Sequence, residues 1–251
     1  MRQLSSILKI TKLNHCIDLI RSPHNTIRKF KYHYCRVPER IFMEFVANKL
    51  LCSATDLDLA YVGYENNRKL WDGIQEKLST YPNGYALQMT QELPLLYLSV
   101  RLLKPEFILE TGVSSGASAA YILQALHDNG KGKLYSIDLP PENLPESKTS
   151  GWVVPGYLRK RWDLLIGDSK DLLLPLLVNL TRIDCFLHDS LHTYEHMIWE
   201  FRAVWNYLRA GGLFLSHDVG ANDAFLDFIE EKGISFRDHR VFHVLGGFLK
   251  P

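Results

Sequence analysis

Phe107-Ile108-Leu109-Glu110-Thr111-Gly112-Val113-Ser114-Ser115-Gly116 runs from a short β-type apolar stretch through two glycines, four residues apart, into a helix-forming segment over 117–127. Strand, glycine turn and helix together make half of a parallel crossover unit. Upstream, a helix is expected over 95–103, leading through Pro105 into the strand. Downstream the same alternation continues: strands over 133–138 and 164–168, a helix over 170–180, a strand over 183–189 and a helix over 194–208. A strand over 212–218, a helix over 224–232 and two apolar segments, near Phe236 and over 244–249, complete the series. Strands alternating with helices require right-handed crossovers, so the expected fold is a doubly wound α/β sheet. Met197, Ile198, Phe201, Val204, Trp205 and Leu208 form the apolar stripe of one crossover helix and are assigned to the core.

The chain has 251 residues, 46% of them apolar and 23% charged, which excludes a disordered, collagenous or disulfide-scaffold protein. Its length fits one α/β domain with an appendage: a basic, mostly helical extension over 1–90 and the α/β domain over 91–251. No apolar run reaches the roughly 20 residues of a bilayer span, and no secretory leader is read at the start. Cys16, Cys35, Cys52 and Cys185 lack C-x-x-C spacing, so a reducing, cytoplasmic setting is expected. Residues 1–50 hold ten Lys/Arg against three Asp/Glu, while the whole chain is nearly neutral at +1. A solvated basic arm explains this excess without a nucleic-acid partner. Leu4, Ile7, Leu8, Ile10, Leu13, Ile17 and Ile20 nearly keep a helical stripe, which leaves two sharper options, a peripheral membrane contact or a homo-oligomer contact.

Doubly wound sheets bind ligands outside the carboxyl ends of their strands. The polar residues expected there are Glu110, Asp138, Asp168, His188, Asp189, His217 and Asp218, a rim rich in acids. The turn from Gly112 through Ser114 to Gly116 lets a ligand approach backbone N–H groups at a helix start. It lacks the third glycine of a dinucleotide fingerprint and the Gly-Lys-Ser/Thr of a phosphate loop, so no diphosphate seat is marked. Asp138, 22 residues after Gly116, stands where a carboxylate accepts both ribose hydroxyls. A nucleoside without phosphates suits both observations, with Asp168 and Ser169 beside the adenine. Bland roles remain for several of these: Asp168 as the cap of the helix after it, Asp189 and Asp218 as helix caps, His188 as a core histidine. His196 reads as a surface neighbour, and His239 and His243 as structural.

Glu-Thr-Gly-Val-Ser-Ser-Gly, Tyr-Ser-Ile-Asp, Ile-Gly-Asp-Ser and Leu-Arg-Ala-Gly-Gly-Leu-Phe-Leu-Ser-His-Asp, in that order, resemble the successive motifs of class I S-adenosylmethionine-dependent methyltransferases. The resemblance covers residues 107–250. It implies a Rossmann-like, seven-stranded sheet with an antiparallel last strand, and a methyl donor over the first two strands. Glu110 and Gly112 would then line the donor's methionine end, Asp138 would hold its ribose, and Asp168 with Ser169 would border adenine. The stretch Phe186-Leu187-His188-Asp189-Ser190-Leu191-His192-Thr193-Tyr194-Glu195, followed by His217-Asp218, is similar to a small-molecule O-methyltransferase branch that includes macrolide-sugar enzymes. There, aspartates at the Asp189 and Asp218 positions bind a divalent cation, Mg²⁺ in the simplest case, and a histidine at the His192 position is the base. His217 beside these acids departs from an all-oxygen ligand set, and is counted among the candidate metal ligands.

Two further segments bear on the site. Residues 140–156 are too long and proline-rich for an ordinary connection, and read either as a lid with Trp152 against substrate or as a mobile surface loop. Residues 81–92 are expected to close over the methionine end. Two rival functions remain. Gly112-Val113-Ser114-Ser115-Gly116 satisfies G-x-S-x-G, the α/β-hydrolase elbow, with Ser114 as nucleophile. A non-catalytic adenosine-binding protein of the same fold is the other.

Overall fold

The computed structural model describes residues 35–80, 91–140 and 148–251. Residues 81–90 of the expected close-over segment 81–92, the centre of the expected lid and the amphipathic stripe before residue 35 lie outside the described residues. Among the described residues three helices come first: α1 (Glu39–Lys49), α2 (Ala54–Asn66) and α3 (Arg68–Ser79). Ser53 caps α2 through a reciprocal capping box with Asp56, which satisfies two otherwise orphaned backbone donors. The alternating series follows as α4 (Leu93–Leu103), β1 (Phe107–Thr111), α5 (Ala117–Asp128), β2 (Lys133–Asp138), β3 (Trp162–Ile166), α6 (Ser169–Leu180), β4 (Ile183–His188), α7 (Tyr194–Trp205), β5 (Leu208–Ser216), α8 (Ala224–Glu231), β6 (His239–Phe242) and β7 (Leu245–Leu249).

The strands form one seven-stranded sheet in the order β3-β2-β1-β4-β5-β7-β6. β1 to β5 pair in parallel, and the last strand, β7, runs antiparallel to both neighbours. Period-two alternation divides the core. Ile108, Cys185, Leu187, Leu213 and Leu215 face one helical layer, and Leu109, Phe186 and Phe214 face the other, where α6, α7 and α8 pack.

Three expected boundaries move. β3 begins two residues early, at Trp162, whose indole N–H donates to Ser136 Oγ at 2.9 Å on β2. The helix expected to reach Leu208 ends at Trp205, and Leu208 opens β5 instead. Phe236 lies outside any strand and is exposed.

Packing is continuous across position 90. Phe42, Met43, Val46, Trp71, Ile74 and Leu78 share one buried cluster with α4, α5 and the sheet. Trp71 stacks on Tyr121 of α5 with ring centroids 4.0 Å apart. Asp128, at the end of α5, accepts from the Tyr97 hydroxyl at 2.6 Å and from Asn67 Nδ2 at 2.9 Å, which ties α2 and α3 to the sheet layer. Among the described residues no helix is long and apolar enough to cross a membrane.

Candidate active site

Strand order reverses between β1 and its neighbours β2 and β4, and the carboxyl ends there leave a crevice at the switch point. Two cavities adjoin in it. The first, about 370 Å³, is lined by Gly112, Ser114, Asp138, Asp168, Ser169 and His196, among others. The second, about 220 Å³, is lined by Ser118, His192, His217 and Asp218. Val113, Ser114 and Asp189 wall both.

The β1–α5 turn shapes the first cavity. Gly112 has φ +84°, and a β-carbon there would meet the Asp189 main chain, so only glycine lets the ends of β1 and β4 come together. Ser114 also lies in the left-handed region, at φ 49°, and its N–H donates to Asp138 Oδ2 at 3.1 Å. Gly112 N–H donates to Ile137 O at 2.9 Å and Gly167 N–H to Asp138 O at 2.8 Å, which fixes the end of β2 against both turns. Asp138 therefore stands at the mouth of the turn. Asp168 lines the cavity, and its Oδ1 also caps α6 by accepting from Lys170 N at 2.8 Å.

Two residues expected to line the donor's place do not. Glu110 is fully buried behind the wall, its carboxyl group accepting from Ser118 Oγ at 2.5 Å and Ser136 Oγ at 2.7 Å. Burial pushes its pKa up to about 7, against the lowering effect of the two serine hydroxyls. Gly116 caps α5 with φ +89° and packs under Gly151, lining neither cavity. Both residues support the turn from behind.

The second cavity carries an Asp/His cluster. His217 Nδ1 lies 3.0 Å from Asp189 Oδ1 and 3.6 Å from Asp218 Oδ2. His192 Nε2 lies 3.6 Å from Asp189 Oδ1, and its Nδ1 is 3.6 Å from Asp218 Oδ2. Neither aspartate caps a helix: Thr193 caps α7, and Asp223 holds the N-cap position of α8. Burial lowers the His192 pKa and outweighs the neighbouring carboxylates, so its imidazole is neutral at neutral pH. Burial also pulls His217 down, but Asp189, Asp218 and Glu92 pull harder and leave it raised. Glu92, at the start of α4, is buried and was not among the expected site residues.

Behind both cavities lies a hub that the sequence reading missed. Glu200, on α7 and fully buried, accepts from Thr111 Oγ1 at 2.6 Å and Ser190 Oγ at 3.1 Å, with His188 Nδ1 at 2.7 Å and His196 Nε2 at 2.9 Å. Burial opposes its ionisation, yet these donors hold it well below the ordinary carboxylate range. His196 is thus no surface residue: it is buried, lines the first cavity and lies 3.3 Å from Ser169 Oγ. His188 is a core histidine, edge-on to His192 with ring centroids 5.4 Å apart. His239 is buried and structural, its Nδ1 3.0 Å from Ser235 O.

The described end of the expected lid is pinned to the glycine turn. Gly151 N–H donates to Ser114 O at 2.9 Å and Val153 N–H to Ser115 O at 3.1 Å. Trp152 packs against the core beside Lys148 and lines neither cavity, contrary to its expected place against substrate.

Asp189, His192 and His217 offer ligand atoms that all lie within 4.8 Å of one another, so a divalent cation fits among them. His192 Nε2 and His217 Nδ1 are both buried without a hydrogen-bond partner, as unmet metal-ligand nitrogens would be.

Residues 109–219 match the model of a family described as a methyltransferase domain. Among solved structures, the S-adenosylhomocysteine-bound methyltransferase PaMTH1 of Podospora anserina superimposes with a TM-score of 0.55 at 15% identity, covering 72% of this chain and 88% of that one. The methyltransferase MycE of the mycinamycin biosynthetic pathway, crystallised with Mg, S-adenosylhomocysteine and mycinamycin VI, gives a TM-score of 0.48 at 16% identity, covering 70% of this chain and 53% of that one. No curated protein matches the chain. The matched span starts within β1 and ends just beyond β5, so Gly112-Val113-Ser114-Ser115-Gly116 is the first turn of this domain rather than a hydrolase elbow. Residues 109–219 thus match a methyltransferase domain, carried on a seven-stranded sheet of the same fold as PaMTH1.

Proposed function

We propose that this enzyme transfers a methyl group from S-adenosylmethionine to a hydroxyl of a small molecule. The observation that carries the reading is the junction of the two cavities at Asp189, with a nucleoside-shaped cleft on one side and the Asp/His cluster on the other. Asp138 accepts from the donor's ribose hydroxyls, Gly112 and Ser114 hold its backbone-facing side, and Asp168 with Ser169 borders adenine. S-Adenosylhomocysteine in the similarly folded PaMTH1 supports this use of the first cavity.

In the second cavity the acceptor's oxygen points at the donor's methyl carbon. The oxygen lone pair forms the new C–O bond as the C–S bond breaks, and the sulfonium leaves as a neutral thioether. His192 takes the hydroxyl proton, since its neutral imidazole is available. Holding both reactants in line supplies much of the acceleration. A divalent cation held by Asp189 and His217 would ease ionisation of the hydroxyl when bound. Titration calorimetry with S-adenosylhomocysteine tests the first step: native protein binds it and Asp138→Ala binds it weakly, whereas no binding to native protein overturns the reading.

A further inference from the structure

We infer that Asp189, His192 and His217 form a seat for a borderline divalent transition ion of the Zn²⁺, Co²⁺ or Ni²⁺ kind, in preference to Mg²⁺. The inference rests on reading this cluster as the reactive side of the donor cleft, and it changes what His192 does there.

Three observations carry it. The first is spacing. Asp189 Oδ1 stands 3.0 Å from His217 Nδ1 and 3.6 Å from His192 Nε2. Neighbouring ligands around one ion at bond lengths of about 2.0–2.2 Å lie roughly 3.0–3.5 Å apart, so these atoms are already near that separation. The second is the state of the nitrogens. Despite its closeness to Asp189, His217 Nδ1 makes no aligned hydrogen bond, and His192 Nε2 makes none either, although both atoms are shut off from solvent. Two buried nitrogens without hydrogen-bond partners thus belong to residues whose ligand atoms, with that of Asp189, lie within 4.8 Å of one another. The third is Asp218, whose Oδ2 lies 3.6 Å from both His192 Nδ1 and His217 Nδ1 but which stands outside the group of mutually close ligand atoms. A carboxylate behind a histidine is how proteins orient a ligating imidazole, so Asp218 belongs to the supporting layer and not to the ligand set.

Donor chemistry then selects the ion. Mg²⁺ takes oxygen ligands and keeps much of its water, whereas two imidazoles and one carboxylate suit borderline ions. Such an ion takes the His192 Nε2 lone pair. Base and ligand thus become alternative states of one imidazole, and a loaded site lacks that proton acceptor.

The test uses the untagged full-length chain, stripped of metal. Co²⁺ is titrated while its visible absorption is followed, Zn²⁺ and Mg²⁺ binding are measured by calorimetry, and S-adenosylhomocysteine binding is measured in parallel. The expected result is one Co²⁺ per chain with an absorption spectrum of nitrogen-containing coordination, and Zn²⁺ bound at least about 100-fold more tightly than Mg²⁺. His217→Ala and His192→Ala should each weaken Co²⁺ by about tenfold or more while still binding S-adenosylhomocysteine, which reports that they fold. If either alanine variant fails to fold, the corresponding glutamine variant takes its place. Equal affinity for Zn²⁺ and Mg²⁺, or Co²⁺ binding unchanged in both histidine variants, overturns the inference. Failure of native protein to bind S-adenosylhomocysteine, with the cobalt result intact, overturns the methyl-transfer reading instead.

Discussion

Gly112 and Asp189 meet so closely that a β-carbon on Gly112 would lie 2.0 Å from the Asp189 carbonyl oxygen. The donor turn and the start of the reactive cluster are therefore one joint, closed by the absence of a side chain. Gly112→Ala has to separate the ends of β1 and β4, and also bears the left-handed backbone cost of about 1–2 kcal/mol. We expect its melting temperature to fall by about 2–4 °C for each kcal/mol lost, and S-adenosylhomocysteine to bind at least about tenfold more weakly by calorimetry. An unchanged dissociation constant would show that the joint does not shape the cleft.

Asp138 holds the Ser114 N–H at 3.1 Å and faces the cleft. Losing hydrogen bonds to a charged carboxylate is worth about 1.5–3 kcal/mol, so Asp138→Ala should weaken donor binding by roughly 10- to 100-fold. Calorimetry alongside thermal unfolding separates this loss from a global one.

His192→Ala should leave donor binding near native while lowering turnover by roughly 10²- to 10⁴-fold once an acceptor is in hand. A parallel loss of S-adenosylhomocysteine affinity would place His192 in the donor cleft rather than beyond it.

Glu110 and Glu200 are both buried carboxyl groups and predict opposite pH responses. Glu110 is raised from 4.5 to about 7, so the unfolded chain releases its proton first. Stability from this group is full below pH 4.5 and declines as pH rises to about 7, by about 3 kcal/mol in all. Glu110→Gln should flatten that decline in urea unfolding followed from pH 4.5 to 7.5. A variant with the native slope would assign the pH dependence elsewhere.

Glu200 is held below its ordinary 4.5, so its contribution is present above that pH and is lost as the solution is acidified below it. Glu200→Ala leaves His188, His196 and Thr111 without their common acceptor and should cost about 3–5 kcal/mol at neutral pH. Glu200→Gln should fold better than the alanine variant and lose less stability than native protein between pH 4.5 and 3. Equal acid sensitivity in Glu200→Gln would remove Glu200 from that role.

Much of the sheet was legible because period-two strands and glycine turns are written locally: β2 falls on 133–138 as read, and Asp138 reaches the Gly112 turn as its position implied. What escaped depends on partners distant in the chain. Trp162 joins β3 through a bond to Ser136 that no local pattern announces. Glu110 ends up behind the rim, because strand alternation points it at Ser118 and Ser136 and not at the crevice. The Glu200 hub left one usable trace: a histidine and a glutamate four residues apart, set among Met197, Phe201 and Val204. A charge within a helix's apolar stripe signals a buried, paired carboxylate. The Asp189, His192, His217 and Asp218 cluster was legible as a group, but the division between ligand and supporting carboxylate is a matter of distances.

The core that runs unbroken from α1 into the sheet sets the smallest portion of this gene worth expressing. A fragment trimmed to begin at residue 91 would strip Phe42, Trp71 and Ile74 from Leu96, Tyr97 and Tyr121, baring a broad greasy flank that invites aggregation. Truncation designs should therefore keep everything from before Glu39, and any swap of acceptor specificity with a related enzyme has to carry these helices along with the barter.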